Sequence, residues 1–196
     1  MSNNIEYKYL DQTPIRIKIK KASSLEDTAI IIDSITLWKT NRQIEFSGNA
    51  ANELNKQLHQ ITKIKCVKDN KDLIREVTDN LMNLKGIRLP MASTILNFYN
   101  DLLPICDQRA YREAYAYDNR EYPFTLKELR KYHKGLNRKA NYVDLYMDYI
   151  DRCYELTEEL TDCVFILNGV STRVDEKNID KYLYAVDESK KKPVKH

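Results

Sequence analysis

The sequence predicts an all-α protein, mostly or wholly helical, built as one domain. Of its 196 residues, 42% are apolar and 31% are charged, which is the balance of an ordinary globular domain. Four glycines and five prolines are too few for the many turns of an all-β fold. Apolar side chains instead recur at helical spacing along most of the chain. We therefore expect a helical domain over residues 1–189 and a disordered basic tail over residues 190–196.

The net charge of +3 is carried by the tail. The tail contains four lysines: Lys190, Lys191, Lys192 and Lys195. Their summed positive charge is larger than the net charge of the whole chain, so residues 1–189 are slightly negative. Affinity for nucleic acid must then come from a local cluster, and the tail either adds attraction to DNA or only improves solubility. No apolar run is long enough to span a membrane, and the polar N-terminus is not a signal peptide, so we expect a cytoplasmic protein without membrane partners.

Cysteine and histidine spacing predicts no metal site. The four cysteines form no C-x-x-C pair and the three histidines share no ligand spacing: Cys66, Cys106, Cys153, Cys163, His59, His133 and His196. We expect reduced, partly buried thiols, no iron–sulfur cluster and no cofactor.

The first element is predicted to be extended. Residues 14–21 alternate isoleucines with Arg16, Lys18 and Lys20, a period of two that suits an arm or an edge strand. Such a strand would present its basic side either to DNA or simply to solvent.

A helix is predicted to follow, capped by Ser23 or Ser24 and supported by acidic residues in its first turn. Its expected apolar stripe is Ala29, Ile30, Ile32, Ile35 and Trp38. The helix should end near Arg42. Trp38 and two cations, Lys39 and Arg42, then meet at its end, where they would either contact a base or backbone or leave Trp38 in the core beneath a Lys39 that reaches solvent.

Two further helices should carry Ala51, Leu54, Leu58 and Ile61, then Leu73, Val77 and Leu81. The stretch that follows, from Leu81 to Arg112, organises the rest of the chain. Gly86 can take the left-handed conformation that closes a helix, and Pro90 suits the first turn of the next. Small Ala92 and Ser93 would let the second helix lie close against the first. The N–H groups of the turn would then form a concavity that binds phosphate.

The pattern L-x-x-L-K-G-I-R-x-P-x-A-S-x-I-L resembles the helix-hairpin-helix of the base-excision DNA glycosylase superfamily. A loop from Asn100 to Cys106, containing Pro104, precedes Asp107 as it does in that superfamily. The segments Trp38-Lys39-x-x-Arg42 and Asp107-Gln108-Arg109-Ala110 resemble a little-characterised glycosylase-like branch.

The resemblance implies a two-lobed helical fold and double-stranded DNA as the partner. It also implies base-excision repair chemistry, in which a flipped base is released by cleavage of its N-glycosidic bond. Asp107 would be the catalytic residue, supporting departure of the base. The implied DNA contacts are Lys85, Gly86, Ile87, Arg88 and Arg109, and the implied base or backbone contacts are Trp38, Lys39, Arg42, Tyr111 and Tyr115.

Two departures from the family pattern shape the expected chemistry. Arg88 replaces the usual second glycine of the turn and adds a cation there. Pro90 or Met91 stands where lyase-active members carry a lysine, and neither can form a Schiff base, so we expect a monofunctional enzyme without lyase activity. Asp107 also suits a routine helix cap. The alternative is therefore a non-catalytic DNA-binding or protein-interaction module.

Helices should complete the chain after Asp107. The first passes through Ala110, Ala114 and Tyr117 and gives way to an irregular aromatic stretch from Tyr115 to Phe124. Four tyrosines close to Asp107 would either line a base pocket or fill an interhelical groove: Tyr111, Tyr115, Tyr117 and Tyr122. Thr125 and Glu128 form a capping box, and Asn137 or Asn141 starts the longest helix, whose face is Tyr142, Val143, Tyr146, Tyr149, Ile150 and Cys153. Asp175 is expected to cap the last helix, with Ile179, Leu183, Tyr184 and Val186 facing inward.

Overall fold

The computed structural model describes residues 5–8, 11–40, 49–117 and 138–190. Helices dominate this part of the chain: α1 Thr13–Lys21, α2 Leu25–Thr40, α3 Asn49–Ile61, α4 Lys71–Asn83, α5 Leu89–Tyr99, α6 Gln108–Ala116, α7 Arg138–Glu159 and α8 Ile179–Ser189. A single 3₁₀ turn, Lys68–Asn70, precedes α4. The strands are β1 Glu6–Tyr7, β2 Val164–Leu167 and β3 Val170–Arg173. The mostly helical class is thus confirmed.

Helix α5 is the central element. Every residue from Leu89 to Tyr99 except Pro90 is buried, and the helix packs against α1, α2, α3, α4 and α7. A helix covered on all sides must be apolar around its circumference or must pair its polar groups. Three polar side chains of α5 are fully buried, and each makes hydrogen bonds: Ser93, Thr94 and Asn97. They position the loop and the cluster described below.

The start of α2 confirms the predicted cap. The Oγ of Ser24 accepts a hydrogen bond from the N–H of Asp27 (3.1 Å), and the Oδ2 of Asp27 accepts from the N–H groups of Ser23 (3.0 Å) and Ser24 (3.1 Å). This is a reciprocal capping box. The inward face differs by one residue from the predicted stripe, because Ile31 is buried while Ile30 is 52% exposed.

The prediction of an extended arm over residues 14–21 is wrong, because this segment is helix α1. Pro14 lies in its first turn, where proline is pre-set for helix. Ile19 is buried and Ile15 half-buried, four residues apart on one face, whereas Ile17 is 46% exposed. Arg16 donates to the carbonyl oxygen of Asn97 in α5 (2.9 Å). Packing against α5 therefore overrides the alternating pattern.

A small three-stranded sheet corrects the strict all-α prediction. β2 and β3 form an antiparallel hairpin with Leu167 opposite Val170, and β1 joins β2 in parallel with Glu6 opposite Ile166. Its two-residue turn is Asn168-Gly169, with φ of 50° and 82°. Both positive values match the primed turn that favours Asn-Gly in hairpins. The Asn-Gly pair between two short runs of β-branched and apolar residues is the sequence signal that predicts such a hairpin.

The remaining helices bury most of the predicted residues, but Leu73 of α4 and Tyr184 and Val186 of α8 are half-buried. The predicted inward residues of α3 and α7 are buried, apart from a half-buried Tyr142: Ala51, Leu54, Leu58, Ile61, Val143, Tyr146, Tyr149, Ile150 and Cys153. The cap residue of α8 is Asn178, not Asp175. Asp175 instead accepts from the N–H of Lys177 (2.9 Å) in the turn before the helix. The predicted capping box at 125–128 lies outside the described residues.

None of the described helices is both long enough and apolar enough to cross a bilayer.

Candidate functional site

The turn between α4 and α5 is exposed and carries two cations. The N–H of Ile87 donates to the carbonyl oxygen of Leu84 (3.2 Å), and Gly86 has a φ of 92°. A positive φ at the third residue is the mark of a type II turn and explains the glycine. The side chains of Lys85 and Arg88 are exposed, and Arg88 is the N-cap residue of α5.

Within this turn, the predicted contacts divide into two groups. Ile87 is buried at 4% exposure and its N–H is already bonded, so it offers no group to a phosphate. The N–H groups of Gly86 and Arg88 make no hydrogen bond to any described residue. These donors lie at the positive end of the α5 dipole beside two exposed cations, which is a suitable arrangement for an anion.

Buried amides hold the loop from Asn100 to Cys106 against the core. The Nδ2 of Asn97 donates to the carbonyl oxygen of Leu103 (2.8 Å). The Nδ2 of Asn100 donates to the carbonyl oxygens of Ile61 and Ile64, both at 2.9 Å, and its Oδ1 accepts from the N–H of Leu102 (3.0 Å). Satisfied bonds of this kind rigidify a loop, because breaking one leaves a buried polar group unpaired.

Helix α7 secures the same loop from another side. Three of its tyrosine hydroxyls donate to loop carbonyls: Tyr154 to Leu102 (3.1 Å), Tyr146 to Pro104 (3.1 Å) and Tyr149 to Ile105 (3.2 Å). The N–H of Ile105 donates to Asp180 of α8 (3.1 Å), and that of Cys106 donates to Ser93 of α5 (3.0 Å). The residue that follows, Asp107, is thus placed by three helices besides its own.

Asp107 is the N-cap residue of α6. Its Oδ1 accepts from the N–H groups of Arg109 and Ala110, both at 2.9 Å. Its Oδ2 makes no hydrogen bond to the described part of the chain. Burial raises the pKa of the carboxyl above its ordinary value of 3.8, against the opposing effect of the capping N–H groups and Lys39. One oxygen therefore serves the helix and the other is available to a ligand.

Lys39, near the end of α2, contacts Thr94 of α5 and interacts electrostatically with the Asp107 carboxyl. Its Nζ donates to the Oγ1 of Thr94 (2.6 Å), and that hydroxyl donates to the carbonyl oxygen of Pro90 (2.7 Å). Burial lowers the pKa of the Lys39 ammonium, while Asp107 and Asp180 partly restore it. The carboxyls of Asp107 and Asp180 and the ammonium of Lys39 form one electrostatic cluster, here called the Lys39–Asp107 cluster.

Trp38, the neighbour of Lys39 in α2, packs against α5. Its ring meets the Phe98 ring edge to face, with centroids 5.1 Å apart. The side chain is half-buried as a whole, but its indole N–H is buried and makes no hydrogen bond to any described residue. Trp38 therefore has core packing on one side and an unused donor.

Other predicted site residues lie elsewhere. Arg109 bonds to α8, where it donates to the hydroxyl of Tyr184 (2.6 Å) and to Glu188 (2.7 Å), so it ties two helices together. Tyr111 and Tyr115 are 2% and 4% exposed and their rings pack together, as expected of tyrosines that fill the groove between helices. Arg42 and Tyr122 lie outside the described residues.

Three further residues help to build the site and are not among the predicted site residues. Thr94, Ser93 and Asp180 are buried polar residues within predicted helices, and only the fold shows what they bond. A polar residue on an otherwise apolar helix was the available signal, since a buried hydroxyl or carboxyl needs a partner.

The thiols near the cluster are unreactive in character. Cys106 and Cys153 are fully buried, and burial raises both pKa values. Within the described residues, no group of three potential ligands could hold a metal ion.

Comparison of the chain with protein-family models, with curated proteins and with solved structures gives no match.

Proposed function

We propose that this chain has the two-lobed helical fold of the base-excision glycosylases, binds double-stranded DNA and releases a flipped base by hydrolysing its N-glycosidic bond. Asp107 is the catalytic carboxylate. The observation that carries the proposal is the arrangement of Asp107: one oxygen caps α6, the other makes no bond to a described residue, and Lys39 lies in the same cluster.

The chemistry follows from that arrangement. Cleaving an N-glycosidic bond develops positive charge on the sugar, and a carboxylate that faces it lowers the barrier electrostatically or orients the attacking water. A raised pKa makes the carboxylate a stronger base, and the nearby ammonium opposes its protonation. The loop bonds from α5, α7 and α8 hold the group in place, which is the preorganisation that such catalysis needs.

The turn would hold the duplex. Lys85, Arg88 and the unused N–H groups around Gly86 suit one backbone phosphate without reading the sequence. Counting along α5 at 1.5 Å per residue, Thr94 lies about 9 Å from Arg88, so the turn and the Lys39–Asp107 cluster are within the span of a few nucleotides.

The test is release of bases from a panel of damaged duplexes. We expect abasic product in intact strands that break only after alkali or heat, because Pro90 and Met91 supply no amine. Asp107→Asn should abolish release while sparing affinity, whereas Arg88→Glu should weaken affinity and lower its salt slope by about one. Undiminished release by Asp107→Asn would reject the catalytic role.

A non-catalytic DNA-binding module is the second candidate. The observation in its favour is that both hydrogen bonds made by Asp107 serve the α6 cap, which is a complete structural reason for an aspartate there. No base release from any duplex, together with affinity that Arg88→Glu weakens, would decide for this candidate.

A further inference from the structure

A second basic feature lies at the other end of α5 from the turn. It is a cleft of about 750 Å³ between α1, the segment after α3 and the end of α5, here called the basic cleft. Its charged lining consists of Arg16, Lys20, Lys65, Lys177 and one carboxylate, Asp101, with His59 beside them. Four cations against one carboxylate give the cleft a clear positive excess in a chain whose body is slightly negative.

Two of these cations are uncommitted. Lys20 and Lys65 are exposed and make neither an ion pair nor a hydrogen bond with the described residues. Lys177 has only a long contact to Asp101, with Nζ and Oδ2 3.8 Å apart. Arg16 differs, since it is bonded to Asn97 and Gln12 and forms part of the wall.

Helix dipoles offer a competing reason for the cations. α1, α3 and α5 all end beside the cleft, and cations are favourable near helix C-termini. Arg16 does serve this purpose, because it donates to the last turn of α5 at Asn97. Lys20 lies in the last turn of α1 and so favours its dipole, whereas Lys65 lies beyond the end of α3. Neither lysine donates to a described carbonyl, so both ammonium groups stay open to a ligand in the cavity.

The floor of the cleft decides what kind of group it takes. Phe98 and Tyr99 line it but are 1% and 6% exposed, so they offer no ring face for stacking. The asparagine at the floor, Asn100, has its amide committed to Ile61, Ile64 and Leu102. Charge therefore dominates recognition, which fits phosphate groups and not a base.

We propose that the basic cleft binds the phosphodiester backbone of double-stranded DNA as a second contact, separate from the turn at Gly86. α5 would bridge the two contacts, about 16 Å apart at 1.5 Å per residue over its length. The inference shares with the proposed function the assumption that duplex DNA is the ligand, and it needs no chemistry at Asp107.

The test compares two matched double variants of the full chain by anisotropy with a labelled 20-base-pair duplex over a range of salt. Lys20→Glu with Lys65→Glu reverses the cleft. Lys18→Glu with Lys56→Glu changes the net charge equally at lysines that do not line it. We expect the cleft variant to bind about tenfold more weakly with a salt slope lower by about two, and the control to change much less.

Each result bears on the proposal. Equal effects of the two double variants on DNA affinity would overturn it. A cleft variant that lost stability but kept its affinity would also overturn it, because the lysines would then only compensate helix dipoles. Stabilisation of the wild type by a nucleoside triphosphate without duplex binding would also overturn it. If Arg88→Glu has no effect while the cleft variant binds weakly, the cleft stands and the turn fails. The reverse pattern leaves the turn and removes the cleft.

Discussion

The turn at Gly86 and the loop from Asn100 to Cys106 flank the same helix, α5, yet they are built in opposite ways. The turn is exposed and its form follows from neighbouring residues, namely a glycine with positive φ and an N-cap. The loop is largely buried, and its bonds come from α5, α7 and α8, up to 75 residues away in sequence. Neighbouring residues therefore determine the form of the exposed turn, whereas hydrogen bonds between distant segments determine the position of the Asp107 carboxylate.

The largest difference between the two regions should appear when one buried amide is removed. Asn100→Ala deletes three hydrogen bonds and leaves the carbonyls of Ile61 and Ile64 buried without that partner. We expect the free energy of unfolding to fall by about 3 kcal/mol in urea denaturation, because each unsatisfied buried group costs ~1–3 kcal/mol. The exposed Asn83→Ala should change it by less than about 0.5 kcal/mol. Comparable small losses would mean that the loop is not held as described.

The turn should show a smaller cost with a purely conformational cause. Nothing lies within 4 Å of a Cβ added at Gly86, so Gly86→Ala meets no steric barrier and only the φ of 92° opposes it. We expect a loss of about 1–2 kcal/mol in the same assay. Gly86→Asn should lose less, because asparagine tolerates positive φ better. Equal losses for alanine and asparagine would argue against a conformational cause.

Two substitutions of Asp107 distinguish the effect of its helix cap on stability from the effect of its charge. Asp107→Ala should cost about 1 kcal/mol through loss of the two N–H bonds, while Asp107→Asn keeps an oxygen for them. Because burial raises the folded pKa, the native state binds more protons than the unfolded state just above pH 3.8, so this carboxyl lowers stability as pH rises through its folded pKa. Asp107→Asn should therefore match or exceed wild-type stability at pH 7. A loss equal to that of alanine would show that the charge stabilises the fold.

The features that neighbouring residues determine could be predicted from the sequence, whereas those that depend on distant segments could not. The predicted roles of Ser24, Pro90 and Asp107 follow from neighbouring residues and are confirmed. Gly86 has the predicted positive φ, but it lies in the type II turn and does not close α4, because that helix ends at Asn83 with an extended Leu84 after it. Residues 14–21 form a helix and not a strand because they pack against the distant helix α5. The alternating isoleucines alone predict the wrong structure there. The hydrogen bonds that Lys39 donates to Thr94 and Ile105 donates to Asp180 join distant segments, and no local pattern specifies such pairs.

The smallest predicted effect tests whether Lys39 and Asp107 act on each other. Each group shifts the pKa of the other toward its charged form, although burial dominates both shifts. Lys39→Met keeps the apolar stem but removes the charge, and a double-mutant cycle with Asp107→Asn isolates the pairwise energy. We expect a favourable coupling of about 0.5–1 kcal/mol at pH 7.

In the wild type, the lowered pKa of Lys39 should make stability rise with pH between that pKa and 10.5, and Lys39→Met should remove that contribution. Zero coupling would mean that Lys39 stabilises the fold only through its hydrogen bond to Thr94 and that its charge does not act on the Asp107 carboxylate.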